Sequence, residues 1–159
     1  MSLASFIAGE AISAGNAVYV GSTGLLYKAS ALNQTQASVV GVAIESGSSG
    51  SLVRVNTDHI YAGYTGLNPG EYRYLSILTS GQLVAYSGWA AELATISVDA
   101  YLETVGRAVT TSGLEVEAST PLFVVNPTSV LLLESSVGIG LDAILLEDGS
   151  TIDLETASV

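Results

Sequence analysis

The chain states one passage twice. Ile12-Ser13-Ala14-Gly15-Asn16-Ala17-Val18-Tyr19-Val20 returns as Leu67-Asn68-Pro69-Gly70-Glu71-Tyr72-Arg73-Tyr74-Leu75. Each copy continues to a Gly-led apolar segment, Gly24-Leu25-Leu26-Tyr27 and Gly81-Gln82-Leu83-Val84. Each ends in a Val-Gly-x-Ala run, Val40 to Ala43 and Val105 to Ala108. Three landmarks in one order imply two copies of a supersecondary unit sharing a core. That constraint points to a scaffold or assembly module before it points to an enzyme.

The residue types inside the copies favour strands. Gly, Ser, Thr, Val, Ile and Tyr are abundant, and only 12% of residues are charged. That is the profile of short strands joined by tight turns. Leu67-Asn68-Pro69-Gly70 is such a turn: proline presets φ at its second position and glycine supplies positive φ at the next. The pattern predicts an all-β fold, a compact β-barrel or β-sandwich built from a duplicated unit, with an extended C-terminal arm. Residues 1–9 read as an N-terminal arm or edge strand, 10–126 as the duplicated domain, and 127–159 as the arm. The repeat units run over about 12–55 and 67–125. Ala31 to Ser38 reads as a polar surface loop, Asp58 to Tyr64 as a strand, and Ala91-Glu92-Leu93-Ala94 as a helical turn.

The arm is both apolar and acidic. From Thr128 onward there are six acidic residues and no basic one, and Leu131-Leu132-Leu133-Glu134 is echoed by Ile144-Leu145-Leu146-Glu147. Two or three short strands bury too little to stand alone in water. The arm must therefore lie on its own domain or pair with another chain, and strand addition is the economical mode. Leu131, Leu132, Leu133, Ile144, Leu145 and Leu146 are the candidate partner-binding residues, joined by Trp89, Tyr61 and Tyr64, which have no counterpart in the other copy.

Charge and composition exclude several functions. The net charge is −11, with Lys28, Arg54, Arg73 and Arg107 the only positive side chains. Nucleic-acid binding needs a basic surface, which this chain lacks. Cysteine is absent, so no disulfide or thiolate metal site exists. The start of the chain lacks the basic region of a secretory signal, and the most apolar stretch, Val130 to Leu146, is broken by Glu134 and Asp142. No membrane association is expected.

Catalytic signals are weak. His59 is the only histidine, and no Gly-x-Ser-x-Gly elbow accompanies it. Asp99, Glu103, Glu115 and Glu117 read as a solvated face, because a general acid needs burial or a like-charged neighbour. Asp142, Glu147, Asp148 and Asp153 are rich in oxygen but match no calcium-loop spacing. No catalytic residue, metal or cofactor is expected.

One family resemblance emerges from the ordered landmarks. They are Ala8-Gly9-Glu10-Ala11-Ile12-Ser13-Ala14-Gly15, Val18-Tyr19, Gly24-x-x-Tyr27-Lys28-Ala29, Val40-Gly41-Val42-Ala43, Gly66-Leu67-Asn68-Pro69-Gly70, Tyr72 with Tyr74-Leu75-Ser76, and Val105 to Val109. Over residues 8 to 125 the chain resembles the small β-rich structural domains of tailed bacteriophages, as in capsid decoration (cement) proteins and head-fibre modules. The resemblance implies a homotrimer in the virion, bound to the major capsid protein on the capsid surface, with no catalytic residues to carry over. A glycan- or receptor-binding module of a phage tail or head fibre is the alternative, with Trp89 and its loop as the site.

Overall fold

The computed structural model describes residues 3–126, together with the backbone of strands 143–145 and 151–153. Residues 1–129 form one compact unit and residues 130–159 a second. Most of the expected arm, including Leu131, Leu132, Leu133 and Leu146, lies outside the described residues. Within it, Ala143–Leu145 pairs antiparallel with Thr151–Asp153, Ile144 opposite Ile152.

The duplication is written into the sheet order. Strands β1 (Leu3–Ile7), β2 (Ala17–Val20), β3 (Leu26–Lys28), β4 (Gly41–Ala43) and β5 (Leu52–Asn56) form a sheet in the order β1-β5-β4-β2-β3. Strands β6 (Ile60–Tyr61), β7 (Tyr72–Leu75), β8 (Leu83–Val84), β10 (Thr104–Ala108) and β11 (Leu114–Val116) repeat it as β6-β11-β10-β7-β8. All pairs in both sheets are antiparallel. Helix α1 (Gln34–Ala37) follows β3, and helix α2 (Tyr86–Leu93) follows β8. Strands β9 (Ala100–Leu102) and β12 (Leu122–Val124) add a two-stranded sheet that the first copy lacks.

Register shows how far the equivalence goes. Val18 lies opposite Gly41, and Arg73 lies opposite Gly106. Ala43 pairs with Val55, and Ala108 with Leu114. The turns before β2 and β7 are closed by the same bonds: Gly15 N–H donates to the Ala43 carbonyl and Gly70 N–H to that of Ala108, at 2.8 and 2.7 Å. Both turn glycines sit at positive φ, 87° and 89°, where a Cβ is strained. Gly41 and Gly106 answer a different need. A Cβ on Gly41 would collide with the Asn56 carbonyl oxygen, and one on Gly106 with that of Glu115, the residue in the same place.

Among the described residues three clusters make the core. The largest draws on both copies, with Ala17, Val39 and Val42 from the first and Leu75, Ile77, Trp89 and Val105 from the second. The sheets stay open, so the barrel expected as one option does not form. One isolated bridge, Ala8 to Leu26, brings the end of β1 to β3 without a ladder. The first sheet curls over its own cluster of Ile12, Val18, Leu26, Ala43, Val53 and Val55. The second has a smaller one of Leu67, Ala108 and Leu114.

The copies are stitched by backbone. Gly81 accepts from Ala17 N–H and donates to the Ala29 carbonyl, both at 2.8 Å, so the β7–β8 turn continues the first sheet. Tyr101 N–H reaches the Ala31 carbonyl at 2.7 Å. Two local readings change. The expected loop over Ala31 to Ser38 contains α1, capped by Asn33 Oδ1, and buries Ala31 and Ala37. The expected strand over Asp58 to Tyr64 is paired only at Ile60 and Tyr61.

Candidate functional site

Among the described residues the most exposed apolar strand is β12. It pairs with β9 on one edge, Phe123 opposite Tyr101, and their rings lie 5.4 Å apart. Among the described residues no strand covers its other edge. Leu122, Phe123 and Val125 are 63, 51 and 48% exposed. Unlike ordinary edge strands, β12 carries no charge to blunt it, although Pro121 precedes it.

Asn126 fixes the end of this strand. It is fully buried, and its Nδ2 donates to the carbonyls of Leu93 and Ile96 at 2.9 and 2.8 Å, with a longer contact to that of Val98. Its backbone N–H donates to Asp99 Oδ1 at 2.8 Å. The strand therefore leaves α2 and the loop behind it at a set point. β12 is a presented edge, held at one end.

The aromatic candidates lie elsewhere. Trp89 is 3% exposed, in the shared core, so the surface role expected of it has no access. Its indole N–H finds no acceptor. Tyr61 and Tyr64 are half-buried and meet edge to face at 5.1 Å. Tyr64 donates its hydroxyl hydrogen to the Gly15 carbonyl at 2.7 Å, tying the second copy to the turn of the first. Burial pushes the Tyr64 phenol well above its ordinary value, with Tyr61 adding to the shift. The lack of a counterpart for these aromatics in the first copy marks stitching between copies rather than a free surface. Ile144 and Leu145 fall on the described strand 143–145.

The acidic residues expected to form one solvated face are dispersed. Glu115 pairs with Arg107 at 3.6 Å, Asp99 holds Asn126, and Glu117 is exposed. Glu103 is fully buried, between β9 and β10. Its Oε2 accepts from the Ser119 hydroxyl at 3.3 Å, and its Oε1 has no partner. Burial pushes its carboxyl up to about 8, partly opposed by the bonds to Ser119. No sequence signal distinguished it, because Glu103 sits in a run of strand-like residues with nothing in the local pattern to mark its burial.

Every positive side chain is engaged. Lys28 meets Glu10 at 3.7 Å, Arg54 meets Glu45 at 2.8 Å, and Arg73 meets Glu71 at 3.0 Å. Among the described residues no cluster of His, Asp or Glu suits a metal ion, and no helix is long and apolar enough to cross a membrane. His59 enters through its backbone, accepting from Asn56 Nδ2 and donating to Asn56 Oδ1.

A shallow pocket of about 140 Å³ opens on the second copy, among Tyr64, Thr65, Leu67, Arg73, Gln82 and Leu83. The Arg73 side chain is 14% exposed, and its Nε is buried without a partner. No protein-family model matches the chain, and no curated protein matches it.

Proposed function

We propose that the chain is a non-catalytic structural protein that docks on a larger protein assembly by strand addition. The assembly in question is the outer surface of a phage capsid, where the chain acts as a homotrimeric decoration protein on the major capsid protein. The observation that carries the reading is the presented edge of β12, with Leu122, Phe123 and Val125 exposed and Asn126 clamped behind them. Main-chain hydrogen bonds along an open edge give affinity, and alternate side chains give specificity. An apolar edge that no described strand covers is an aggregation hazard unless it is taken up by a partner. The turn-and-tyrosine pattern over residues 8 to 125 supports the capsid assignment, and the deficit of free positive charge suits a surface that sits near DNA without holding it.

The test is cosedimentation of the full chain with cognate heads stripped of their outer protein, alongside native mass measurement. The reading expects a trimer and saturable binding, both weakened at least tenfold by Leu122→Asp with Phe123→Asp. A chain that stays monomeric and remains in the supernatant overturns it.

A further inference from the structure

The pocket of the second copy occupies the place of a filled core in the first. Val18 of the first cluster is fully buried, and by strand register its equivalent is Arg73. Leu3 and Ala4 lie opposite Asn56 and Val55 as Ile60 and Tyr61 lie opposite Glu115 and Leu114. Past Tyr61 the pairing slips by one residue: Tyr64 N–H donates to the Ser112 carbonyl at 3.2 Å, so Tyr64 stands in the place of Phe6 and keeps an aromatic there. Counting back from Val55 and Leu114, Val53 falls against Ser112. Two apolar fillers of the first copy, Val18 and Val53, are thus arginine and serine in the second, while the surrounding Ile12, Ala43 and Val55 remain apolar as Leu67, Ala108 and Leu114.

Loss of fillers explains a hollow; it does not explain a guanidinium placed in its wall. A long cation in a former core position is costly unless its donors are used. Arg73 gives Nη2 to Glu71 Oε2 at 3.0 Å, and its Nε is left unpaired. Arginine is a donor-only group with five N–H bonds in a planar fork. The other polar side chains of the lining, Thr65 and Gln82, also offer donors, whereas Tyr64 spends its hydroxyl hydrogen on Gly15. Leu67, Leu83 and the Tyr64 ring supply the apolar wall. The complement of such a lining is an acceptor pair on a short apolar stem.

We propose that this pocket binds a small carboxylate, delivered by a free short-chain acid or by one acidic side chain of a peptide. The volume of about 140 Å³ is below the roughly 300–1,000 Å³ of sites for drug-sized ligands, so the ligand is no larger than one such group. A carboxylate matches the planar fork of arginine better than a neutral acceptor does. The site stands apart from β12 and from the assembly reading, and either can fail without the other.

The experiment titrates the isotopically labelled full chain by NMR, following the Arg73 Nε–H and the amide of Gly66, which also lines the pocket. Propionate is the free acid, blocked glutamate the peptide-borne one, and propionamide the neutral isostere. The expected result is a saturable shift at both reporters, in the millimolar range fitting so small a ligand. Whichever of the two acids binds more tightly names the source. Arg73→Met returns the position to the apolar character of Val18 and should weaken binding at least tenfold with the fold intact; Gln82→Ala, in the same lining, should weaken it severalfold. Equal shifts with propionamide, or no saturable shift with either acid, overturns the proposal.

Discussion

The two copies share strand order, register and turn bonds, yet they use them differently. The first copy has a five-residue β1, a short α1 and a cluster filled by Val18, Val53 and Phe6. The second has a two-residue β6, an eight-residue α2 and a hollowed cluster around Leu67 and Leu114. What stayed constant is backbone: the Gly15 and Gly70 turns and the close approach at Gly41 and Gly106. What diverged is side-chain filling and edge length. In a duplicated β unit, the hydrogen-bond frame is the conserved quantity and the interior volume is the adjustable one.

The strongest way to break that comparison is at the paired glycines. Gly41→Ala and Gly106→Ala each push a Cβ into a backbone carbonyl of the neighbouring strand, which no rotamer relieves. Each should cost about 4 kcal/mol or more, or prevent folding, in urea melts. If only one of the two is damaging, the copies do not carry equivalent frames. Trp89→Ala comes next, at about 3–5 kcal/mol by the same melts, because it empties the shared core at a place where the first copy has only the small helix face of Ala37.

Glu103 sharpens the contrast through pH. Its carboxyl ionises near 4.5 in an unfolded chain and near 8 in the fold. The folded state therefore keeps a proton that the unfolded state has lost, and stability falls as pH rises between those values. Below that window the contribution is intact, and above it the loss levels off at on the order of a few kcal/mol. Thermal melts across the window should show this slope in the parent and a flatter line in Glu103→Gln. A parent curve that rises with pH there contradicts the buried placement. The smallest effect is expected for Tyr64→Phe, which deletes one hydrogen bond between copies and should cost about 1 kcal/mol.

Much of this frame is legible in the chain itself. Asn68-Pro69-Gly70 announces its turn by residue chemistry alone, and the alternation of Leu52, Val53, Arg54 and Val55 matches their exposed and buried positions in β5. The paired landmarks locate equivalent strands because turns and close backbone contacts are local demands. The missed parts depend on partners distant in sequence. Trp89 looks like a free aromatic until Leu75, Ile77 and Val105 are packed round it. Glu103 resembles any other strand acid until β9 and β10, which flank it, are packed and leave it fully buried. Asn33, two residues before Thr35, did carry a helix-cap signal for α1, but a four-residue helix falls below any period that apolar spacing can reveal. The pocket was invisible for another reason: the repeat sets Arg73 against Val18, but only the packing shows that Val18 is a buried filler and that a hollow lies beside Arg73.

The Gly81 bridge between Ala17 and Ala29 carries a consequence for how the body comes apart. A rung of one ladder is supplied by the other copy's turn, so fraying in either half exposes amides in both. Cutting the chain between Asn56 and Ile60 would leave two fragments, each lacking a rung that only its sister provides. Deuterium should accordingly enter at Ala17 and at Gly81 at matched rates, as one opening event rather than two.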